Sequence, residues 1–337
     1  MYRRPSSVLL ILACIAAIAA IARAQSEQPN SGTVDLAFVG DIMLAETPGE
    51  RIALGEDPFS EFAEVFRKVD LTIGNLECVV ATTGEEYDKP FVFRAHPRVL
   101  SLVQKHLDIV CLANNHTGDY GHVAFLEQLR LLEQNKIPYV GGGRDCAHAR
   151  QPLIIDRPGL RIAFLAYNDF KPRAFEAGPS WPGVAWAVDA QVTADIEAAR
   201  TIHRADFVIP MLHWGWENEP ANDRQRQLAK LMIDAGADMI VGGHPHVTQE
   251  VEYYKGKLIL YSIGNFIFNG FDPGPARTGW VLRTRITKQR LIAWDTLVAK
   301  IDDLGQPYLQ VDAPSPSGTT ADEPIIQRCG IKDSPFK

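Results

Sequence analysis

The stretch Met239-Ile-Val-Gly-Gly-His-Pro-His246 sets the pattern of the whole chain. A short apolar run stops at two glycines and delivers two histidines. The run is too short for a buried helix and has the length of a buried strand. Glycine lets the backbone turn tightly at the strand end. The same arrangement recurs upstream. Leu36–Val39 runs into Gly40-Asp41, and Leu71–Ile73 runs into Gly74-Asn-Leu-Glu77. Ile109–Leu112 runs into Ala113-Asn-Asn-His116, and Phe207–Leu212 into His213-Trp-Gly215. In open α/β sheets a ligand site lies at the carboxyl ends of the strands, so five such clusters predict one shared site.

Between the apolar runs lie amphipathic segments with helical spacing. One carries Phe125, Leu129 and Leu132, and another carries Leu228, Leu231, Met232 and Ala235. Further strands are predicted at Ile162–Ala166 and Leu258–Ile263. This alternation predicts an α/β fold with much parallel sheet. Gly279–Ile286 and Leu291–Val298 read as an antiparallel hairpin. From Asp302 the chain is rich in Pro, Ser, Thr and Asp, and an irregular tail is expected over 302–337.

The donors in the clusters are of one kind. Carboxylate and amide oxygens mixed with imidazole nitrogens suit Zn, Mn or Fe better than the all-oxygen shells of Ca or Mg. His244 and His246 are two apart, so in extended backbone they would face opposite sides and serve one metal each. A metal pair would generate hydroxide at neutral pH and clamp the oxygens of a displacement. Asp41 alone reads equally well as a helix cap, and His213 alone as a satisfied core histidine. Their coincidence at five strand ends is what points to a site. His96, His106, His122, His148 and His203 read as ordinary hydrogen-bonded residues.

The first residues have the grammar of an export signal. Arg3 and Arg4 precede an apolar run, Val8–Ala22, whose fifteen residues fall short of the roughly 20 a membrane helix needs. Ala22-Arg-Ala24 is a small-x-small cleavage site, which predicts a mature chain from Gln25 and a polar linker over 25–32. An uncleaved anchor is the main alternative, and Cys14 loosely imitates a lipoprotein box. The formal charge is −7, and losing Arg3, Arg4 and Arg23 takes the mature chain to −10. That balance argues against nucleic acid or anionic lipid as partner. Cys78, Cys111, Cys146 and Cys329 fit no disulfide or zinc framework, and Cys78 and Cys111 read as buried thiols.

Six stretches carry a family resemblance. They are Phe38-Val-Gly-Asp-Ile-Met43, Gly74-Asn-Leu-Glu77, Leu112-Ala-Asn-Asn-His116, Leu212-His-Trp-Gly215, Gly243-His-Pro-His-Val247 and Tyr261-Ser-Ile-Gly-Asn-Phe266. Together, and in this order, they resemble the poly-gamma-glutamate capsule synthesis (CapA) family, a divergent branch of the calcineurin-like metallophosphoesterases. The resemblance implies two packed β-sheets flanked by helices over residues 33–301. It implies Asp41, Asn115, His213, His244 and His246 as metal ligands for one or two divalent ions, and His116 as general acid. Two positions depart from the broad superfamily. Met43 stands where a histidine ligand is usual, and the bridging aspartate falls at Asn75, with Glu77 able to supply the carboxylate instead. Asp119 and Glu217 are expected to orient imidazoles. Asp119 also reads as a helix cap, and Arg94 as an anion binder or a surface residue. Asn265 is placed at the site floor or in a turn, and Trp214 and Trp216 in an aromatic rim or in packing.

These features predict an exported protein acting on an anionic cell-envelope or capsule polymer, alongside membrane-bound polymer synthesis machinery. A metal-dependent hydrolase cleaving a phosphoester or amide is one reading. A non-catalytic polymer-handling factor, favoured by Met43 and Asn75, is the other.

Overall fold

In the computed structural model the described residues are 32–171, 173–319, 325–328 and 336. The expected export signal, most of the expected linker and Cys329 lie outside them. In chain order the main strands begin with β1 (Thr33–Ile42), β2 (Leu71–Leu76), β3 (Ile109–Cys111) and β4 (Tyr139–Val140). A second group follows: β5 (Leu153–Arg157), β6 (Leu160–Asn168), β7 (Phe207–His213), β8 (Met239–Gly243), β9 (Val251–Tyr254) and β10 (Lys257–Leu260). The chain then returns to the first sheet with β11 (Asn265–Ile267), β12 (Thr278–Thr287), β13 (Leu291–Ile301), β14 (Pro307–Leu309), β15 (Pro314–Thr319) and β16 (Ile325–Arg328).

These strands form two sheets among the described residues. The ten-stranded sheet runs β16-β15-β13-β12-β1-β2-β3-β4, with β11 paired to β1 and β14 to β13. The six-stranded sheet runs β9-β10-β8-β7-β6-β5. The strands that carry the polar clusters are parallel within each sheet: β1 with β2, β2 with β3, and β7 with both β6 and β8. Their carboxyl ends therefore open on one side.

Side-chain alternation explains the layering. Leu36 and Phe38 point into a core shared with Ile162, Phe164, Phe207 and Ile209 of the other sheet. Ala37 and Val39, one residue out of phase, pack outward with Phe125, Leu129 and Leu132 of the helix Gly121–Gln134. On the far side Ala163 and Leu165 pack outward with Val192, Ile196, Leu228 and Met232, from helices Asp189–Thr201 and Asp223–Asp234. The period of two thus gives each sheet two apolar faces, one toward its partner and one toward helices. The result is the expected two-sheet sandwich flanked by helices. Among the described residues no helix is long and apolar enough to cross a membrane.

The segment after Asp302 differs from expectation. It adds β14, β15 and β16 to the sheet instead of forming an irregular tail. Pro314 and Pro316 suggest a loop, yet the ladder to β13 uses Ser317–Thr319, beyond both prolines. Ser315 Oγ donates to Thr296 O at 2.8 Å, and Thr296 Oγ1 donates to Pro316 O at 2.8 Å, so the polar side chains themselves stitch the strands. Composition hid a segment held by hydrogen bonds and not by apolar burial.

One glycine is demanded by a close approach at the site. A Cβ on Gly40 would lie 1.8 Å from Gly264 O. Without it β1 and the segment entering β11 can meet, Asp41 N donates to Gly264 O at 3.1 Å, and Asp41 stands in register with Asn265. Gly40→Ala is therefore expected to cost at least about 1–3 kcal/mol, the usual penalty of forced overpacking. Urea unfolding checks this, and an unchanged midpoint would contradict the assignment.

Candidate metal centre

The five strand ends do converge. Asp41 is the penultimate residue of β1, Asn75 lies near the end of β2 with Glu77 just past it, and Asn115 and His116 lie just beyond β3. His213 ends β7, and His244 and His246 follow β8. Asp41, Glu77, His213 and His244 are at most 2 % exposed, and His246 is 3 % exposed.

His213 Nε2 lies 2.6 Å from Asn115 Oδ1, 3.1 Å from His244 Nδ1 and 3.4 Å from Glu77 Oε1. For ligands about 2.0–2.1 Å from a tetrahedral metal, neighbouring donors sit roughly 3.3 Å apart. These spacings are of that order. A second set faces it. His246 Nδ1 is 3.6 Å from Asp41 Oδ2, and His246 Nε2 is 3.9 Å from Glu77 Oε1. The described residues thus contain two groups able to hold a metal ion, Glu77–His213–His244 and Asp41–Glu77–His246, and Glu77 belongs to both.

Buried groups normally have partners. Here Glu77 Oε1, Glu77 Oε2 and His244 Nε2 are buried without a hydrogen bond. Burial pushes the Glu77 carboxyl well above its usual range, and the neighbouring Asp41 charge adds to this. Burial likewise raises Asp41, although His246 and Asn75 pull the other way. His213 and His244 are held well below the usual imidazole range by burial and then by the other histidines. Two carboxyls and two imidazoles, each destabilised in its charged form, make a set that a divalent cation fits. Nitrogen and oxygen donors together suit a transition metal.

The surrounding hydrogen bonds orient these donors. Asn265 Oδ1 faces His246 Nδ1 at 2.8 Å, while Asn265 Nδ2 donates to Ala276 O at 2.9 Å. A proton on Nδ1 given to Asn265 leaves Nε2 as the lone-pair donor toward Glu77. Asn75 Nδ2 donates to Asp41 Oδ1 at 2.7 Å and lies 3.3 Å from His213 Nδ1. Asn75 Oδ1 accepts from Asn114 Nδ2 at 3.0 Å. Asn75 is thus bonded into the protein on both ends of its amide. Met43 is fully buried, with its sulfur accepting from Ala45 N at 3.2 Å.

The His-Pro-His backbone is not extended, contrary to the sequence reading. His244 has φ +94° and His246 φ +57°. Proline at 245 disfavours the helical region for His244. Its backbone N–H donates to Asp41 Oδ2 at 3.1 Å, and Asn265 holds His246, so the surroundings impose the turn. The two imidazoles still reach different groups, with ring centroids 5.7 Å apart.

His116 lies beside this cluster and lines an adjoining cleft of about 240 Å³. Its Nδ1 is 2.7 Å from Asp119 Oδ2, which also accepts from Phe93 N at 2.6 Å. With Nδ1–H given to Asp119, Nε2 is the atom left for chemistry. Burial lowers the His116 pKa, while Asp119 opposes the shift. Glu217 also lines the cleft. Trp214 is fully buried in the core, whereas Trp216 is 57 % exposed and meets Phe170 edge-on. Arg94 is elsewhere. Its guanidinium lies 4.1 Å over the Tyr120 ring and donates to the carbonyls of Thr83 and Gly84.

Sequence reasoning overlooked Lys89. Its Nζ pairs with Asp119 Oδ1, donates to Asn115 O at 2.9 Å and lies 3.4 Å from His116 Nδ1. It comes from a loop with no apolar run before it, so strand-end logic could not find it. Cys78, Cys111 and Cys146 are unpaired, and burial pushes the first two thiols up to about 12.

The described geometry agrees with comparisons to known proteins. The family model for "Bacterial capsule synthesis protein PGA_cap" matches residues 35–270. The chain is 35% identical over 258 residues to "PGA biosynthesis protein CapA" of Bacillus subtilis (strain 168), covering 74% of this chain and 66% of that one. It is 30% identical over 295 residues to "Capsule biosynthesis protein CapA" of Bacillus anthracis, covering 82% and 71%. The match therefore spans about two thirds of the Bacillus subtilis relative. Among solved structures, a "novel phosphatase" of Mycoplasma pneumoniae superposes with TM-score 0.54 at 13% identity, over 80% of this chain and 94% of that one. A hypothetical protein from Thermus thermophilus gives 0.51 at 16%, over 82% and 98%. Such low identities speak for fold alone, and the fold is the calcineurin-like phosphoesterase sandwich. By the match over residues 35–270 and these relatives, the chain belongs to the bacterial capsule synthesis protein PGA_cap (CapA) family.

Proposed function

We propose that this protein is an exported, divalent-metal-dependent hydrolase that cleaves a phosphoester or amide bond in an anionic cell-envelope or capsule polymer. The observation that carries the reading is the Glu77 carboxylate, buried and without a hydrogen-bond partner, between Asp41 and three imidazoles. The export part rests on the Arg3-Arg4 start, the Val8–Ala22 run and the Ala22-Arg-Ala24 site.

Glu77, His213 and His244 would hold one ion with Asn115, and Asp41, Glu77 and His246 a second. A divalent ion bound there supplies Lewis acidity and makes water a better nucleophile at neutral pH. The chain's own residues do the rest. Asn265 and Asn75 orient the donors. Asp119 holds His116 by Nδ1 so that Nε2 can pass a proton to the leaving group. Lys89 ties the loop to Asn115 and Asp119 and keeps this pair in place. Phe170 lies over His244, with centroids 3.7 Å apart, and limits water on that side.

His116→Ala is expected to lower kcat on phosphomonoester or phosphodiester substrates by roughly 10²–10⁴, the usual worth of general acid catalysis. Elemental analysis should show the same metal content as in the parent chain. One metal or none, with no turnover that depends on His116, would move the function to polymer handling.

Metal binding is expected to release protons. Above the ordinary imidazole value of 6.5, His213 and His244 are already neutral and contribute none. Glu77 and Asp41, whose carboxyls are raised, lose their protons to the ion's field. Affinity should therefore rise with pH through the range in which Glu77 ionises, which burial and Asp41 place above the ordinary carboxyl value of 4.5. Calorimetry in buffers of different ionisation enthalpy measures the protons. Glu77→Gln should weaken binding by about 100-fold or more and reduce the release. A pH-independent affinity would contradict the shared carboxylate.

A further inference from the structure

The cleft beside the metal centre is lined in a way that an anionic chain alone does not explain. Its acidic and basic side chains, besides His116, are Lys89, Asp119 and Glu217. Lys89 Nζ pairs with Asp119 Oδ1 and donates to Asn115 O at 2.9 Å, so its charge is balanced within the protein. Glu217 is exposed and forms no ion pair among the described residues. Its charge is felt at Glu77. One unbalanced negative charge is left on the cleft wall.

Aromatic rings stand around that charge. Tyr87 and Phe91, on the loop that carries Lys89, line the cleft while remaining 52 % and 70 % exposed. Phe170 and Phe175 line it from another segment. The walls are anchored: Tyr87 N donates to Asp119 O at 2.7 Å, and Phe175 meets Phe125 edge-on with centroids 5.4 Å apart. Aromatic faces attract a cation through the ring quadrupole, and rings gathered about a carboxylate suit an ammonium group. A carboxylate can only accept hydrogen bonds, and it meets Glu217 as a like charge. Interior units of an acidic chain are therefore disfavoured here, whereas the one cationic group of an acidic polyamide, its free amino end, fits. At about 240 Å³ the cleft falls below the roughly 300–1,000 Å³ of pockets for drug-sized ligands, and has room for one terminal unit.

We infer that this cleft holds the free amino end of an acidic polyamide, with Glu217 pairing to the ammonium group and Tyr87 and Phe91 flanking it. His116 lines the same cleft, so the first amide of such a chain comes beside it. This rests on the hydrolytic reading for the polymer. It goes beyond that reading in naming the part of the chain recognised, and in favouring an amide over a phosphoester.

The test is calorimetric titration of the Mn²⁺-loaded full chain carrying His116→Ala, which prevents turnover. The probes are γ-linked triglutamate with a free amino end, its N-acetyl form, and putrescine. The free form is expected to bind at least about 10-fold more tightly than the N-acetyl form. Glu217→Gln, at an exposed position, should remove most of that preference. Tyr87→Leu with Phe91→Leu, which keeps apolar bulk but no ring, should reduce it as well. Equal affinity for the two triglutamates overturns the inference, and so does a preference unchanged by Glu217→Gln. Putrescine binding as tightly as the free triglutamate also overturns it and gives the cleft to a small amine. Turnover by the parent chain separates this inference from the reading beneath it. Cleavage of the free and N-acetyl forms at equal rates overturns amino-end recognition and keeps the hydrolytic reading. Cleavage of neither form, with the binding preference intact, overturns the hydrolytic reading and leaves the amino-end site standing.

Discussion

A carboxylate with no hydrogen-bond partner stands at the centre of this molecule. Glu77 is fully buried, both oxygens lack hydrogen bonds, and Asp41 lies close enough to oppose its ionisation. Such a group is costly in a folded protein unless something positive shares the space. His213 and His244, held neutral by burial, do not supply that charge. The cluster is therefore a set of donors that a divalent cation fits.

The two-sheet architecture follows from the same need. No single sheet could surround Glu77. β1 and β2 bring Asp41 and Glu77 from one sheet, while β7 and β8 bring His213 and His244 from the other. The interior of Phe38, Phe164, Phe207 and their neighbours holds the two sheets together, so the donors meet at the rim of a rigid core. Gly40 and the left-handed His244 and His246 are local costs accepted where those strand ends crowd together. Strain of this kind is kept at sites where the surroundings over-determine it.

Beside the ion site the chemistry changes character. The His116–Asp119 pair and Lys89 form a polar hinge between the metal donors and an aromatic cleft. The metal donors come from strand ends, whereas the cleft is lined largely by loop residues such as Lys89 and Phe170. Loops of this kind can vary without disturbing the core.

Much of this was legible in the residues themselves. The apolar runs ending in Gly-Asp, Asn-x-Glu, Asn-Asn-His and Gly-Gly-His announced parallel strands with a site at their carboxyl ends, because strand periodicity and glycine punctuation are local properties. Helix Asp223–Asp234 was equally plain from Leu228, Leu231 and Met232 at helical spacing, and the structure adds an Asn222–Gln225 capping box at its start. What the sequence could not decide depended on contacts between distant segments. β14 and β15 are held largely by backbone pairing, which leaves little trace in hydrophobicity. The turn at His244-Pro-His246 is imposed by Asp41 and Asn265, both outside the turn itself. Lys89 reaches Asp119 and Asn115 only because a loop folds back over the strand ends. The chain by itself determined which donors would be present and at which strand ends. Only the tertiary structure decided that Glu77 is shared by both groups of donors, since sharing requires two sheets to place their edges around one carboxylate.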